Sequence, residues 1–410
     1  MRDDPFADLP DADALRAALT RPFRRAIRLH SRRGTPSGWG DVTAVPWSPA
    51  GRFHADSIDP GSRLDYHTGC AYPQDAASQL PVELLAPRPG EVVIDCCAAP
   101  GSKASQIGIA LGDDGLLVCC DASAPRRGIL AENLARQGVA CALVTPLPLH
   151  RLAERSPGCA DAVLVDAPCS GHEARSARQI ARMAERQLAL LADAARLAAP
   201  GGRLVYSTCT PYRGEDEGVI LAFLATHPGW TVERVAAAGC DGDLADLGAL
   251  RLWPHRQGSE PFFACRLRAP DDGPQSSLLG EHPEPSDDLR RWLPTTPLSA
   301  WRRGELLFMA TPACAACALP SEARGLIVGR GTPLRPDPWG AQALIERGAP
   351  ALAIAHADAL ALWAGADLGI ALGDDALLRT DAGAPLGVAE SDDGRIRLRL
   401  PSRLRRGGLA

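Results

Sequence analysis

The chain has 410 residues, of which 46% are hydrophobic and 23% charged, and its formal net charge is −5. These proportions are those of an ordinary globular protein, and the length predicts two or three domains. The mildly acidic charge argues weakly against a nucleic-acid partner. No apolar run is long enough to predict a membrane span, and the acidic N-terminus lacks the apolar segment of a signal peptide. We therefore expect a cytoplasmic protein without a membrane partner.

The cysteines and the lysine are distributed unusually. Thirteen cysteines are scattered along the chain, with adjacent pairs at 96–97 and 119–120 inside apolar runs. An odd number without regular spacing suits reduced thiols in a cytosol better than a disulfide framework. Lys103 is the only lysine in the sequence, and every other basic side chain is arginine or histidine. This bias predicts that Lys103 does something a guanidinium cannot, as a compact ammonium group with an adjustable pKa.

The middle of the chain alternates strand-like and helix-like segments. Short apolar runs predict strands over 92–95, 116–121, 140–144, 161–166, 203–207, 230–235 and 262–268. Amphipathic periodicity predicts helices over 103–112, 125–138, 177–198 and roughly 214–226. This alternation is typical of an α/β protein whose parallel sheet is covered by helices on both faces. Ligands bind such sheets beyond the carboxyl ends of the strands.

Composition divides the chain into four regions. Residues 1–70 form a mixed N-terminal extension, and residues 71–270 form the α/β core. Residues 271–295 are rich in proline, glycine, serine and acids, which predicts a linker. Residues 296–410 contain short apolar runs between glycines and prolines, which predict a small domain with substantial β content.

Two runs of arginine without an intervening acid lie near the ends of the chain. They comprise Arg21, Arg24, Arg25, Arg28, Arg32 and Arg33, and then Arg395, Arg397, Arg399, Arg403, Arg405 and Arg406. Local basic patches can bind phosphates even on an acidic protein, and a merely solvated surface is an equally good interpretation of either run alone.

The loop after the first core strand reads "DCCAAPGSK" (95–103). Small residues there let the backbone approach a ligand closely, and the following helix presents free N–H groups. Asp121 ends the next strand about twenty residues later, where an acid holds the ribose hydroxyls of a nucleoside cofactor. A plain strand–turn–helix junction is the competing interpretation.

Two later strands end in cysteine-containing loops, "DAPCSG" (166–171) and "STCT" (207–210). A free cysteine is most often a small buried hydrophobe. If the two strands are neighbours, however, Cys169, Cys209 and Asp166 converge on one cleft beside the cofactor loop. Their joint position favours a reactive pair over two structural residues.

The three motifs, in this order and spacing, resemble those of the Sun/Fmu-type RNA (cytosine-5) methyltransferases. The likeness extends to "YPQDAAS" (72–78) and "RLWPHRQGSEPFFACRLR" (251–268), and, more loosely, "PWSPAGRF" (46–53) and 384–405 resemble the 16S ribosomal RNA branch with a C-terminal PUA-like domain. The resemblance implies a class I S-adenosylmethionine-dependent core with a Rossmann-like doubly wound sheet. It also implies a small α+β N-terminal extension and a β-rich PUA-like C-terminal domain.

The resemblance assigns catalytic roles to four residues. Cys209 would be the nucleophile that adds to carbon 6 of cytosine, because carbon 5 alone is a poor nucleophile. Cys169 would assist proton removal and release of the enzyme. Asp166 would stabilise charge at ring N3, which needs a pKa above its usual value of ~3.9. Lys103 would contact the base and lower the pKa of Cys209.

The same resemblance assigns a cofactor site for S-adenosyl-L-methionine and no metal. The residues expected to hold the cofactor are Cys97, Ala98, Ala99, Pro100, Gly101, Ser102, Lys103, Asp121, Arg126 and Asp166. The partner would be RNA rather than DNA, most plausibly ribosomal RNA, and the protein would act as a monomer. Because the target base must leave any helix to reach Cys209, a flexible or opened RNA site is expected.

The sequence departs from this family pattern in two places. The segment "VTPLPLHRLAE" (144–154) has no acid at the place expected to hold the adenine amino group. The loop "HEARSARQ" (172–179) is shorter than the usual basic loop, so some substrate contacts are either lost or supplied elsewhere, for example by Arg175 or Arg178. The alternatives are a transfer RNA methyltransferase, an idle RNA-binding assembly factor, and a methyltransferase with another acceptor. The intact cysteine pair argues against the last two.

Two other features predict packing rather than a binding site. Cys314 and Cys317 form a lone CxxC, and a single pair cannot complete a tetrahedral zinc site. Trp39, Trp47 and Trp339 could stack on bases, but core or interface packing is the preferred interpretation.

Overall fold

The computed structural model describes residues 6, 9–34, 36, 39–40, 42–174, 176–369, 376–392 and 395–400. Within these residues the chain forms a central α/β unit flanked by an N-terminal and a C-terminal region. Arg175, Arg403, Arg405 and Arg406 lie outside the described residues.

The N-terminal region is a small sheet with helices. Its four strands are antiparallel to their neighbours in the order β2-β3-β1-β4. The elements are α1 (Ala12–Leu19), β1 (Ala26–Leu29), β2 (Thr43–Val45), β3 (Ser48–Phe53), α2 (Leu64–His67), β4 (Ala71–Pro73) and α3 (Ala76–Leu85).

The central unit alternates strands and helices, as the periodicity predicts. The elements are β5 (Val92–Asp95), α4 (Ser102–Leu111), β6 (Leu116–Cys120), α5 (Ala124–Arg136), β7 (Ala142–Thr145), α6 (Leu149–Arg155), β8 (Ala160–Asp166), α7 (Ala177–Ala195), β9 (Ala198–Thr208), α8 (Glu217–Thr226), β10 (Thr231–Val232), β11 (Asp241–Gly242), β12 (Leu250–Leu252), α9 (Pro254–Gln257) and β13 (Phe262–Arg268). The predicted helix over 177–198 is three residues too long, because Ala198 already pairs with Ala160 as the start of β9.

The central sheet is mixed. Strands β7, β6, β5, β8 and β9 are parallel and lie in that order, and β13 adds antiparallel to β9. The strand order reverses between β5 and β8. After β5 the chain adds β6 and β7 on one side of that strand, and it then adds β8 and β9 on the other side. Such a switch point leaves a crevice at the carboxyl ends of the strands. Strands β8 and β9 are neighbours, so the condition for the two cysteine loops to meet is fulfilled.

The C-terminal region has the β content expected from its short apolar runs, in two four-stranded sheets ordered β14-β15-β17-β18 and β19-β20-β21-β22. Its elements are β14 (Ser299–Arg303), β15 (Leu306–Ala310), α10 (Pro312–Ala316), β16 (Ala323–Arg324), β17 (Leu326–Arg330), β18 (Arg335–Pro336), α11 (Pro338–Glu346), β19 (Leu352–Ile354), α12 (His356–Trp363), β20 (Ala376–Thr380), β21 (Pro385–Asp392) and β22 (Arg395–Leu398).

The C-terminal region packs directly on the central unit. Strand β16 pairs antiparallel with β7 and so extends the central sheet at that edge. The Thr311 hydroxyl donates to the Gly115 carbonyl at 2.6 Å, and Cys314 is buried in the same apolar cluster as strands β5 and β8. Between the two regions, Leu278 and Leu289 of the predicted linker are buried. The three boundaries between the four predicted regions stay predictions.

The basic run near the N-terminus is divided, with two arginines buried and four exposed. Arg28 and Arg33 are buried, and Arg33 is paired with Glu346 of α11 at 2.8 Å. Neither a phosphate-binding patch nor a solvated surface is therefore correct for these two arginines. In the second run, Arg397 pairs with Asp367 and Arg399 with Glu390.

The described helices include none with both the length and the apolar character that a bilayer crossing requires. Trp39 and Trp47 are buried, and their indole N–H groups donate to Asp65 and to the Ala76 carbonyl. Cys314 and Cys317 are also buried. Core packing is thus the correct interpretation of these four side chains.

Candidate functional site

A cavity of about 670 Å³ opens at the carboxyl ends of the central parallel strands, at the switch point. It is bounded by the loops that follow β5, β6, β7, β8 and β9 and by one face of α7. The residues lining it are Cys96, Cys97, Ala99, Cys120, Asp121, Ala122, Arg126, Arg127, Pro146, Leu147, Pro148, Leu149, His150, Asp166, Ala167, Pro168, Cys169, Met183, Arg186, Gln187, Leu190, Asp193 and Cys209.

Strand β5 ends in a buried and incompletely satisfied carboxylate, next in sequence to Cys96 and Cys97, which line the cavity. Asp95 is buried, and its Oδ1 accepts from the Cys97 backbone N–H at 3.3 Å. Its Oδ2 has no hydrogen-bond partner within the described part of the chain. Burial and the nearby Asp166 raise the pKa of Asp95 to about 7. This carboxylate is therefore prepared for a donor that the protein does not provide.

Gly101 lets the chain turn from this loop into α4. Its φ of 113° lies in the left-handed region, and a Cβ there would meet Leu130 Cδ1 at 3.2 Å. The first turn of α4 is held from behind by Arg28, whose guanidinium donates to the Ser102 carbonyl at 2.6 Å and to Ser105 Oγ at 2.8 Å. The buried part of the N-terminal arginine run thus supports this loop.

Asp121 follows β6 and faces the same cavity. Its Oδ1 accepts from the Ser123 N–H at 2.9 Å, and its Oδ2 lies 3.2 Å from Arg126. Arg126 in turn donates to the Ala99 carbonyl at 2.5 Å. These contacts fix the distance between the two loops that bound the predicted nucleoside site.

The two cysteine loops meet at the opposite end of the cavity. The sulfurs of Cys169 and Cys209 are 3.2 Å apart, and both side chains are half-buried. The hydrogen bond to Cys209 and burial both raise the pKa of the Cys169 thiol. Cys169 is therefore kept protonated and positioned to share its proton with the sulfur of Cys209.

Asp166 lies beside this pair with both carboxylate oxygens engaged. Lys103 Nζ donates to Oδ2 at 2.7 Å, and the Ser207 hydroxyl donates to Oδ1 at 2.8 Å. Lys103 also donates to Ser78 Oγ at 2.9 Å. Burial alone would lower the pKa of Lys103, but Asp166 outweighs it and the pKa is raised. The one lysine of the chain is thus a fixed cation next to the thiols.

A buried glutamate fixes the loop that carries Cys169. Glu215 Oε2 accepts from the Ser170 N–H at 3.0 Å and from Gln187 Nε2 at 2.8 Å. Gln187, from α7, also donates to the Pro168 carbonyl at 2.9 Å. Sequence reasoning did not find these two residues, because neither lies in a strand-end motif.

A buried ion cluster fixes the loop that carries Cys209. Arg251 donates to Asp216 and to Glu217, each at 2.7 Å, and to the Pro211 carbonyl at 3.2 Å. Asp216 in turn accepts from the Thr208 hydroxyl at 2.5 Å. The residues on both sides of Cys209 are therefore anchored to the same three charged groups.

The structure brings together most of the sequence-predicted site. Lys103, Asp166, Cys169 and Cys209 form one contiguous group, as just described. Of the predicted cofactor residues, five line the cavity: Cys97, Ala99, Asp121, Arg126 and Asp166. The others, which do not line it, are Ala98, Pro100, Gly101, Ser102 and Lys103. Gly101 and Ser102 shape the loop, and Ala98 is buried.

Two segments that line the cavity were not predicted from the sequence. Residues 146–150 after β7 contribute Pro146, Leu147 and Pro148, an apolar surface at the place where the sequence lacks an acid. Met183, Gln187 and Leu190 of α7 lie opposite. Their spacing of four and three residues is that of one helix face, which is the signal that could have identified them.

Residues 82–268 match the family model described as 16S rRNA methyltransferase RsmB/F. Over this segment the chain is similar to the RsmB/F methyltransferases. Over 292 residues the chain is 34% identical to ribosomal RNA small subunit methyltransferase F of Erwinia tasmaniensis, covering 63% of this chain and 61% of that protein. The protein of the same name from Escherichia coli O81 is 33% identical over 288 residues, covering 62% and 59%.

Solved structures agree with the family assignment. A methyltransferase homolog from Pyrococcus horikoshii has a TM-score of 0.58 at 26% identity and covers 65% of this chain and 93% of that one. NSun6 from the same organism has a TM-score of 0.56 at 19% identity, covers 64% and 95%, and shows a shared fold. The expected Rossmann-like core is confirmed. The chain spans about three-fifths of the length of the curated relatives it matches.

Proposed function

We propose that this protein transfers a methyl group from S-adenosylmethionine to carbon 5 of cytosine in RNA, with ribosomal RNA as the substrate. The observation that carries the proposal is the position of Cys169 and Cys209, 3.2 Å apart in the cavity that also exposes Asp121. Paired thiols serve a reaction that needs a covalent bond to the base. Oxygen and nitrogen acceptors need no such activation.

Acidic side chains at the cavity and next to it suit the positive charges of this cofactor. S-adenosylmethionine carries an ammonium and a sulfonium group, and the unpartnered Oδ2 of Asp95 is an acceptor suited to a cation. Asp121, at the end of β6, supports a role in holding the ribose, and Leu147 and Pro148 offer the adenine an apolar surface. When bound, the cofactor supplies the electrophilic methyl group.

Cys209 is assigned as the nucleophile. Its thiolate adds to carbon 6 of cytosine, which makes carbon 5 electron-rich enough to attack a methyl group. The sulfur of Cys209 lies 3.2 Å from that of Cys169, in the same group of side chains as the ion pair of Lys103 with Asp166. The ion cluster around Arg251 keeps the loop in place.

Cys169 is assigned to release. After transfer, the proton on carbon 5 must leave and the bond from carbon 6 to Cys209 must break. Cys169, whose sulfur is 3.2 Å away, can give its proton to the departing sulfur of Cys209 and take up the proton from carbon 5, so that it ends the step protonated as it began it. The raised pKa of Cys169 keeps that proton available.

Asp166 and Lys103 are assigned to the ring. Charge builds at N3 of cytosine when carbon 6 is attacked, and an acidic proton shared with Asp166 would stabilise it. Lys103, 2.7 Å from Asp166, can supply that proton or hold the carboxyl group in position.

The flanking regions are proposed to bind the RNA. The C-terminal region, with its two small sheets, is assigned as PUA-like, and the N-terminal sheet as a second RNA contact. The working unit would be a single chain in the cytoplasm. The cytosine must be flipped out of any helix to reach the cavity.

The first experiment is a transfer assay. Purified protein is incubated with labelled S-adenosylmethionine and bacterial RNA separated into ribosomal and transfer pools, and the product is digested to nucleosides. We expect label in 5-methylcytidine from the ribosomal pool. Label in the transfer pool instead would select the transfer RNA alternative. No label with either pool or with intact ribosomal subunits, despite cofactor binding, would favour the idle assembly factor.

Two cysteine variants separate the assigned roles. Cys209→Ala should abolish both product and covalent RNA adduct, whereas Cys169→Ala should accumulate the adduct, seen as a slowly migrating band on denaturing gels. Cys240→Ala removes another half-buried thiol and serves as the control. Normal turnover by Cys169→Ala would refute its role in release.

A further inference from the structure

We propose that three arginines on α7 form a track for the phosphates of the RNA strand that carries the target cytosine. The arginine stripe consists of Arg178, Arg182 and Arg186. This inference rests on the proposed function, since it concerns how the same substrate reaches the same thiols. It assigns to a helix the contacts that the shortened loop before α7 does not provide.

The stripe has a regular geometry. The three arginines follow one another every four residues, so they lie on one face of α7 about 6 Å apart along its axis. All three are exposed. Together with Ser176, Gln179 and Met183, they line a surface groove of about 680 Å³. An extended polyanion can therefore contact successive guanidinium groups.

The groove continues into the catalytic cavity. Met183 and Arg186 line both of them. The cavity beyond contains Cys169 and Cys209. A strand lying along the stripe would thus pass the rim of the cavity, and one of its bases could enter towards the thiols.

The charge of the stripe is not neutralised locally. Among the described residues, no ion pair or hydrogen bond engages the side chains of Arg178, Arg182 and Arg186, whereas Arg33 and Arg251 are buried in ion clusters. Glu185 lies on the other flank of α7, in a groove with Leu9 and Ile180. Asp193, seven residues after Arg186, lines the deep cavity.

A nucleic-acid backbone is the ligand that fits these features best. Guanidinium groups bind phosphates in bidentate fashion, and a positively charged groove tracks the backbone without reading its sequence. An acidic protein segment would fit the arginines, but it would not explain why the groove continues into a cavity that contains two thiols. The stripe therefore contributes affinity and alignment, while the choice of base is made in the cavity.

The test compares two triple variants with equal loss of charge. The first is R178Q/R182Q/R186Q. The control is R88Q/R155Q/R196Q, which removes three exposed arginines. They precede β5, β8 and β9 and so lie at the amino ends of these strands, away from the cavity at the carboxyl ends. Binding of a fluorescein-labelled single-stranded RNA containing cytosine is measured by anisotropy from 50 to 300 mM salt. S-adenosylhomocysteine binding is measured by calorimetry.

We expect the stripe variant to bind RNA at least about tenfold more weakly, with the slope of log K against log salt reduced by about 2, since each phosphate contact on a single strand contributes roughly 0.7. The control should keep the wild-type slope and should bind S-adenosylhomocysteine as the wild-type protein does. Equal slopes for the stripe variant and the control would overturn the proposal. Failure of the proposed function would look different: the wild-type protein itself would neither bind nor methylate RNA.

Discussion

Asp166 is the residue on which the neighbouring groups of the site converge. One of its oxygens accepts from Lys103 and the other from Ser207, so both are fixed by donors from different elements. The same side chain faces the cavity that contains the thiols. Its contacts suit a charged carboxylate, because an amide would keep only one accepting oxygen and would remove the negative charge that pairs with Lys103.

We therefore expect Asp166→Asn to lower the single-turnover rate of 5-methylcytidine formation about 100-fold or more, as loss of one oriented charge-stabilising group does elsewhere. Asp161→Asn is the control, since Asp161 is at the other end of β8 and accepts from the Val92 N–H. It should methylate at the wild-type rate. A rate for Asp166→Asn within threefold of wild type would exclude Asp166 from the chemistry.

At the scale of residues, the sequence predicted those that stand at strand ends. Asp166, Cys169 and Cys209 could be placed in one cleft because parallel strands end at the same edge of a sheet. Glu215 and Gln187 could not, because they reach the site through side-chain packing across 28 residues of chain. Arg28 was assigned to a surface run although it is buried behind the cofactor loop.

At the scale of elements, the loop after β9 is held by a buried cluster of charged side chains. Arg251 of β12 and Asp216 and Glu217 near the start of α8 are all buried. Burial raises the pKa of Asp216 well above its usual range, despite the opposing effect of Arg251. The cluster holds Thr208 and Pro211 on both sides of Cys209.

We expect Arg251→Met to reduce the free energy of unfolding by about 3–5 kcal/mol, because it leaves two buried carboxylates without their cation. Urea unfolding measures the change. The loss should shrink as the pH falls from 8 towards 5, since Asp216, whose pKa is raised by burial, takes up a proton in the folded state and escapes the penalty.

The control for this change is Arg234→Met. Arg234 pairs with Asp246 on the surface, with side chains 64% and 92% exposed, so the cost should stay below about 1 kcal/mol. Equal costs for the two variants would show that the Arg251 cluster contributes no more than a solvated pair.

The sequence predicted the longer elements well and the short ones badly. Strands 92–95 and 262–268 were predicted with their observed bounds, because each is a clear apolar run. The predicted strand over 230–235 shrinks to Thr231–Val232. Strand β16 has two residues and no periodicity, so its pairing with β7 gave no signal in the sequence.

At the scale of the whole molecule, Glu346 joins three regions. This buried carboxylate of α11 pairs with Arg32 and Arg33 of the N-terminal region, each at 2.8 Å. The adjacent Arg347 pairs with Asp113 of the central unit at 2.6 Å. Burial alone would raise the pKa of Glu346, but Arg33 and Arg347 outweigh it and hold the pKa at about 2.

A depressed carboxyl pKa gives stability that is present above the unfolded value of about 4.5 and is lost as the pH falls towards 2. We expect Glu346→Gln to lower the free energy of unfolding by about 3 kcal/mol at pH 7 and by much less at pH 3. Urea unfolding at both pH values checks this. Glu390→Gln, which removes an exposed partner of Arg399, should change little. A loss for Glu346→Gln that is the same at both pH values would contradict the assignment.

Contacts across such long stretches of chain explain why composition alone could not describe the assembly. Arg33 and Glu346 are 313 residues apart in the sequence. Neither region contains a sequence pattern that predicts which residue it will contact in the other. The glycine- and proline-rich stretch after β13 marked a change in composition. It did not reveal that the regions on either side of it share an apolar cluster.

The two hydrogen bonds between Arg127 and Glu322 limit where the chain can be cut. Glu322 precedes β16, and Arg127 lines the cofactor cavity, where it also donates to the Asp121 carbonyl. A truncation after β13 would therefore bare the edge of β7 and loosen the cavity wall at the same time. The central unit therefore cannot be joined to a different C-terminal domain by a simple cut after β13. It would have to travel with the strand and the glutamate that complete it.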